Sequence, residues 1–236
     1  MTLLGASTAL VLAGRREGRP DPLAMAAGLS HKCLVPVAGK PMIRHVVDAL
    51  NAAQWVEQIL ISIDDPALLP EQPWARALID TGRLRIIPAR HNLVDSVAEA
   101  ARNAPFPLMI TTADNVHLTS RSVDEFLRYC SRDDVNVALA LARKEDVLHV
   151  HPAGQRRFYR FSDGEFSNCN LYWLGSPAAL AIAETFRSGG QFVKFPARIL
   201  GAFGLMNLIR FRLGIGSVSS TFLRLSKRFG LHVRAM

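Results

Sequence analysis

The residues best suited to chemistry lie between Ala9 and Met42. An apolar run ends at Leu12-Ala13-Gly14, a polar loop with Arg15, Arg16, Gly18 and Arg19 follows, and the chain then reads His31-Lys32-Cys33-Leu34-Val35-Pro36-Val37-Ala38-Gly39-Lys40-Pro41-Met42. Glycine directly after a strand lets backbone amides approach a phosphate, and guanidinium groups beside it grip phosphate oxygens through paired hydrogen bonds. The loop through Ala13, Gly14, Arg15 and Arg16 is therefore the candidate phosphate cradle. It is not a Walker A loop, because Gly39-Lys40 is followed by Pro41 rather than Ser or Thr and the upstream glycine is missing. No GxGxxG occurs either, which removes the fingerprint of the dinucleotide oxidoreductases.

A second candidate is Asp114. The run Pro107 to Asn115 reads as a buried strand ending on a carboxylate, delivered to the side of a sheet where ligands bind and where a hard cation such as Mg2+, bridging triphosphate oxygens, would sit. Thr119 and Ser120 are better placed than Asp114 to cap the helix that follows. Pro88 to Ser96 joins a strand to a helix, and Asn92 and Ser96 there suit a helix cap. In Ser167-Asn168-Cys169-Asn170-Leu171-Tyr172 the neutral amides of Asn168 and Asn170 suit sugar or phosphate hydroxyls. The three cysteines, Cys33, Cys130 and Cys169, have no CxxC spacing and leave an odd one over, which argues against a disulfide framework or a zinc site and suits a reducing cytoplasm. No histidine near Cys169 makes a nucleophilic pair with it.

The order Leu-Ala-Gly, basic loop, then Lys-x-Leu-x-Pro-Val-x-Gly-Lys-Pro-Met resembles the signature of the MobA-like nucleotidyltransferases, the group of the molybdenum-cofactor guanylyltransferases and sugar-phosphate nucleotidylyltransferases. That resemblance implies transfer of a nucleoside monophosphate from an NTP, CTP or GTP foremost, to a small phosphorylated or hydroxylated acceptor, with Mg2+ as cofactor. It implies that Lys32 contacts phosphate, that Asp114 is the metal ligand, that Asn92 and Ser96 lie beside the base, and that Asn168 and Asn170 lie near the acceptor. Taken singly, Pro36, Gly39 and Pro41 make only a turn before a helix and Lys32 is a solvated lysine; their combination with a glycine-ended strand points to function. The loop from Gly14 to Leu23 is longer than the family's Gly-x-Gly-x-Arg, which leaves open which of its arginines grips the triphosphate. The family's second metal-binding aspartate, in an Asp-x-Asp-x-Pro segment after the final strand, has no counterpart before Met236, and the expectation is that a final segment is lacking.

These residues need a scaffold that brings strand ends together. Ser7 to Ala13, Gln58 to Ile63, Leu84 to Ile87, Leu108 to Thr112 and Val135 to Leu141 are short apolar runs bounded by Gly, Pro, Asp or Asn, as strands buried on both faces are. Between them Pro41 to Ala52, with Pro41 in the first turn, Leu93 to Ala104 and Ser120 to Cys130 have helical spacing. Such alternation implies a Rossmann-like α/β fold with a doubly wound, mostly parallel sheet. Arg156 to Trp173 reads as a hairpin-like excursion turning at Asp163-Gly164. Pro177 to Phe186, Phe195 to Leu213 and Ser217 to Phe229 read as helices, and Leu231 to Met236 as a strand. The expected organisation is one domain, 1–236, with an NTP-binding half over 1–150 and an acceptor-side, basic helical part over 151–236.

The formal net charge of +8 is uneven: from Thr185 to Met236 there are nine Lys or Arg and no Asp or Glu, leaving 19 basic against 20 acidic groups before that. No zinc finger, RNP-type aromatic pair or recognition helix accompanies the excess, so nucleic acid is not an expected partner. Two roles for the tail stay open. Its helices either form a surface over Phe195 to Phe229 that meets an anionic membrane or a membrane-bound partner, or pack their apolar faces on the sheet with the charges solvated. Met1 to Ala13 lacks a basic n-region and reads as a strand, and Ile199 to Ile209 is shorter than the roughly 20 residues a bilayer span requires. The alternatives to nucleotidyl transfer are a nucleotide-sugar glycosyltransferase, which generally carries a DxD motif where this chain has Ala113-Asp114-Asn115, and a non-catalytic nucleotide-binding domain.

Overall fold

The computed structural model describes residues 6–15, 21–132, 135–154, 157–184 and 204–236. Its strands are β1 (Ser7–Leu12), β2 (Pro36–Val37), β3 (Lys40–Pro41), β4 (Val56–Ile63), β5 (Leu84–Pro88), β6 (Leu108–Thr112), β7 (Val137–Arg143), β8 (Tyr159–Phe161), β9 (Gly164–Leu174) and β10 (Val233–Ala235). The helices are α1 (Pro22–Ala26), α2 (Met42–Ala52), α3 (Pro73–Asp80), α4 (Leu93–Asn103), α5 (Ser120–Cys130), α6 (Lys144–Val150), α7 (Leu180–Glu184), α8 (Leu205–Arg212) and α9 (Val218–Phe229). Eight strands form the main sheet in the order β10-β7-β9-β6-β1-β4-β5, with β8 paired to β9. β1 runs parallel to β4 and β6, and β4 to β5, while β9 is antiparallel to both β6 and β7.

The central strands carry apolar side chains on both faces because each feeds two cores. Ala9 and Val11 of β1 and Ala13 just past it, with Ile59, Ile61 and Ile63 of β4, pack under α2, α3 and α5; Leu10 and Leu60 face the opposite way, under α4, α7 and α9. The period of two along a strand requires this division. From β1 the chain builds outward through β4 and β5, then returns to β1's other side as β6. The crevice at this reversal, beyond the carboxyl ends of β1 and β6, is where an open α/β sheet binds its ligand.

Several boundaries differ from the sequence reading. Pro41 closes β3 and precedes α2 instead of forming its first turn. The strand expected over Val135 to Leu141 runs two residues later. Pro177 to Phe186 is a 3-10 turn followed by α7, and its last two residues, like Phe195 to Phe203 of the next expected helix, lie outside the described residues. α1, α3, α6 and the β2–β3 hairpin are additions, each only about two turns long or shorter, too brief for a periodic pattern to separate helix from loop.

The tail helix α9 starts at a Ser217 cap, whose Oγ accepts from Ser220 N at 3.1 Å, and ends at Gly230 in the left-handed conformation (φ 63). Phe222 is 8% exposed in the second core, whereas its neighbour Leu223 is 57% exposed. Phe222→Ala should therefore cost about 3 to 5 kcal/mol by urea denaturation, against within about 0.5 kcal/mol for Leu223→Ala. Equal losses would contradict this packing of α9.

Candidate active site

The carboxyl ends of four parallel strands meet side by side. Ala13 N donates to the Ser62 carbonyl at 2.8 Å, Ala113 N to Leu12 O at 3.0 Å and Ala89 N to Ile63 O at 2.9 Å. The residues just past these bonds are Gly14, Asp64, Arg90 and Asp114. Crowding explains the glycine: a Cβ at position 14 would lie 2.9 Å from Ala89 Cβ and 3.8 Å from Asp64 Oδ1. No side chain fits between the ends of β1 and β5 without displacing one of them.

Asp64 organises the first loop. Its Oδ1 accepts from the Arg15 backbone N–H at 3.0 Å and its Oδ2 from Arg15 Nε at 2.6 Å. His31 Nε2 lies 3.1 Å from Oδ1; this imidazole is 1% exposed, with Ser30 Oγ 2.9 Å from its other nitrogen. Burial pushes the Asp64 carboxyl up, but the Arg15 donors and the His31 interaction outweigh it and hold the group below the usual carboxylate range.

Lys32 opens a 3-10 turn over Lys32–Leu34, closed by Val35 N donating to Lys32 O at 3.0 Å. From there Lys32 Nζ donates to Asp114 Oδ2 at 2.5 Å, while Thr112 Oγ1 donates to Asp114 Oδ1 at 2.6 Å. Burial raises the Asp114 carboxyl, and the bonds from Lys32 and Thr112 more than reverse it, so Asp114 too stays ionised below the ordinary range. Both side chains of the pair are 36% exposed and open to a ligand. Beyond the turn, Ala38 (φ 48) and Gly39 (φ 79) make the left-handed corner of the β2–β3 hairpin. Lys40 then pairs with Asp48 of α2 at 3.0 Å instead of reaching the strand ends, consistent with the absence of a Walker A loop.

The family model of the MobA-like NTP transferase domain matches residues 9–203. This chain belongs to the MobA-like NTP transferase family. A structure from Thermus thermophilus described as a hypothetical transferase is 25% identical, with a TM-score of 0.78 over 98% of this chain and 92% of that one. The fold is also similar to a CMP:2-keto-3-deoxy-manno-octonic acid synthetase complexed with CTP (15% identity, TM-score 0.56, covering 98% and 89%). A 4-diphosphocytidyl-2C-methyl-D-erythritol synthase from Anaerococcus prevotii is likewise similar (8%, TM-score 0.58, covering 99% and 89%). No protein of curated function matches the sequence.

The other residues expected in the site of this MobA-like transferase are distributed around the crevice. Asn92 caps α4, accepting from Asp95 N at 2.9 Å, and Ser96, 3% exposed, accepts from Arg90 N at 2.9 Å, so together they fix the loop after β5. Asn168 and Asn170 sit on a bulge of β9, where Leu139 pairs with Tyr172 but Leu141 with Asn168 and Asn170 takes φ 52. Asn168 holds the bulge with both ends of its amide, accepting from Asn170 N at 2.9 Å and donating to Tyr172 Oη at 2.5 Å. Asn115 anchors the bulge to the Asp114 turn by donating to the Cys169 carbonyl at 3.1 Å. Burial raises the thiols of Cys33, to about 12, and of Cys169, so neither is a ready nucleophile. Arg16 lies outside the described residues.

Among the described residues no group of three His, Cys, Asp or Glu gathers to hold a metal. Asp114 is nonetheless a suitable donor, an ionised strand-end carboxylate, because Mg2+ bound with a nucleotide commonly takes one or two carboxylates and completes its shell from phosphates and water. Sequence reasoning missed Asp64, His31 and Thr112. The signal for Asp64 was available, since Asp64 follows the run Gln58 to Ile63 as Asp114 follows its own strand.

Because Asp64 has a depressed folded pKa, its stabilisation is present above the unfolded value and is lost as pH falls through the folded one. Asp64→Asn should lower stability by about 1 to 3 kcal/mol at pH 7. The gap from wild type should shrink only below about pH 4, where unfolded aspartate protonates. Urea titrations across pH 2.5 to 7 (chosen to bracket that window at about 4) test this; a gap independent of pH would remove Asp64 from the role.

Proposed function

We propose that this chain transfers a nucleoside monophosphate from an NTP to a small phosphorylated or hydroxylated acceptor, releasing pyrophosphate and using Mg2+. The observation that carries the reading is the open Lys32–Asp114 pair, 2.5 Å apart, at the sheet's reversal beside the Gly14 loop. An acceptor oxygen attacks the α-phosphorus, the bond from that phosphorus to the bridging oxygen breaks, and pyrophosphate departs with the electron pair. A phosphate acceptor is already ionised at neutral pH, so the protein need supply no general base.

The protein's work is then positioning and charge neutralisation. The Gly14 backbone N–H and the guanidinium groups of Arg15 and Arg16 meet the triphosphate, the backbone N–H groups of Ala13 and Arg15 being held by the Ser62 carbonyl and Asp64 Oδ1. Lys32 exchanges Asp114 for a phosphate oxygen as nucleotide enters. Asp114 would hold Mg2+, which when bound with the triphosphate neutralises its charge and polarises the reacting phosphoryl group. The loop fixed by Asn92 and Ser96 flanks the base, and the side-chain amide of Asn170, which has no partner among the described residues, serves the acceptor with Asn168 supporting it. CTP or GTP is the favoured donor, and the CTP-bound synthetase of similar fold supports trying CTP first.

Pyrophosphate release from each of the four NTPs, with phosphorylated sugars, phosphorylated alcohols and molybdopterin as acceptors, tests the reading. Nucleotide binding without pyrophosphate under every condition would leave a non-catalytic binding domain. Asp114→Asn should lower turnover by about 100-fold or more and weaken Mg2+-dependent NTP binding without unfolding the chain, and Lys32→Ala should lower turnover by about 100-fold. Wild-type rates in either variant would remove that residue from the mechanism.

A further inference from the structure

Both tail helices mix apolar with basic residues, but their environments differ. α9 buries its apolar face through Phe222, whereas α8 rests on β8 through Phe211, whose ring centroid is 5.8 Å from those of Tyr159 and Phe161. At 3.6 residues per turn, Leu205, Met206, Ile209 and Leu213 occupy one arc of about 100° on the side away from Phe211. They are 60%, 60%, 41% and 65% exposed. Arg210 and Arg212 flank this arc, one on each side, by the same geometry. Single exposed leucines need no explanation, but four contiguous apolar side chains on one arc mark an interaction surface.

From these observations we infer that α8 docks this protein on an anionic phospholipid bilayer, lying in the interface with its apolar arc among the acyl chains and Arg210 and Arg212 at the headgroups. The charge pattern chooses the occupant. No Asp or Glu occurs from Thr185 to Met236, so nothing in the tail neutralises the flanking arginines. A symmetric contact between two copies would bring the arginine rims together, whereas an anionic leaflet complements both rim and arc. Docking also has a direction: β8 pairs with the Gly164–Phe166 end of β9, the same strand that carries the Asn168–Asn170 bulge. The acceptor side of the crevice and the membrane-facing helix therefore share one hairpin.

Vesicle co-sedimentation of the full chain tests the inference, with phosphatidylcholine alone and with phosphatidylserine added. Binding to the anionic vesicles at low salt, falling as salt rises, is expected. The double variant Arg210→Gln, Arg212→Gln should reduce that partitioning roughly 30-fold, at about fivefold per basic residue. Ile209→Ser and Leu213→Ser should each reduce it roughly tenfold. All four side chains are exposed, so these variants should retain the wild-type melting temperature. Equal partitioning onto neutral and anionic vesicles, or unchanged binding by the arginine variant, would overturn the inference. So would a dimer that Ile209→Ser dissociates in a protein that binds no vesicle, which would assign the face to a second copy. Asp114→Asn should bind vesicles as wild type does, separating this surface from nucleotide chemistry.

Discussion

Adjacent residues, His31 and Lys32, reach carboxylates on opposite sides of β1: the imidazole meets Asp64 at the end of β4, and the ammonium meets Asp114 beyond the end of β6. This double attachment draws the segment after the first loop across the mouth of the crevice. It demands parallel strands whose ends lie level, and the bonds from Ala13 to Ser62 and from Ala113 to Leu12 keep them level. It also demands a β1 terminus thin enough to let β5 approach, which is why position 14 has no side chain.

The two aspartates occupy equivalent places and do different work. Asp64 faces a buried imidazole and is fully engaged with Arg15, so removing it breaks a latch. Asp114 and Lys32 are each more than a third exposed, and an ion pair in that setting contributes little to stability, about 0 to 1 kcal/mol. Cheap dissociation suits the proposed chemistry, in which Lys32 exchanges Asp114 for a phosphate oxygen and Asp114 is left to hold the cation.

The central strands and the place of Asp114 at a strand end were legible in the sequence because each depends on local order, an apolar run and then the residue that follows it, whereas Lys32 is marked only by the resemblance of its motif to the family's. The partners were not. That His31 turns to Asp64 while Lys32 turns to Asp114 depends on β4 and β6 lying on either side of β1, a lateral order absent from any local pattern. The same holds for Asn168, whose amide is spent on holding a bulge that exists only because β9 pairs with β7 out of step. It holds most plainly for the tail, where Phe222 and Leu205 both belong to segments that mix apolar with basic residues, yet one is buried and the other exposed by what each helix packs against.

The two walls of the crevice are built by different means, and this bears on how much each can vary. The wall that the proposed reading gives to the nucleotide is made of parallel strand ends bonded laterally through Ala13, Ala89 and Ala113, so a shift in any one moves the others. The wall that it gives to the acceptor is a bulge on an antiparallel strand, tied to the rest through Asn115 and Cys169 and to itself through Asn168. Inserted residues in a bulge lie outside the regular ladder, and their side chains can change without re-registering the strands on either side. Under the proposed reading, a fixed triphosphate geometry and a variable acceptor follow from where the sheet is regular and where it is not.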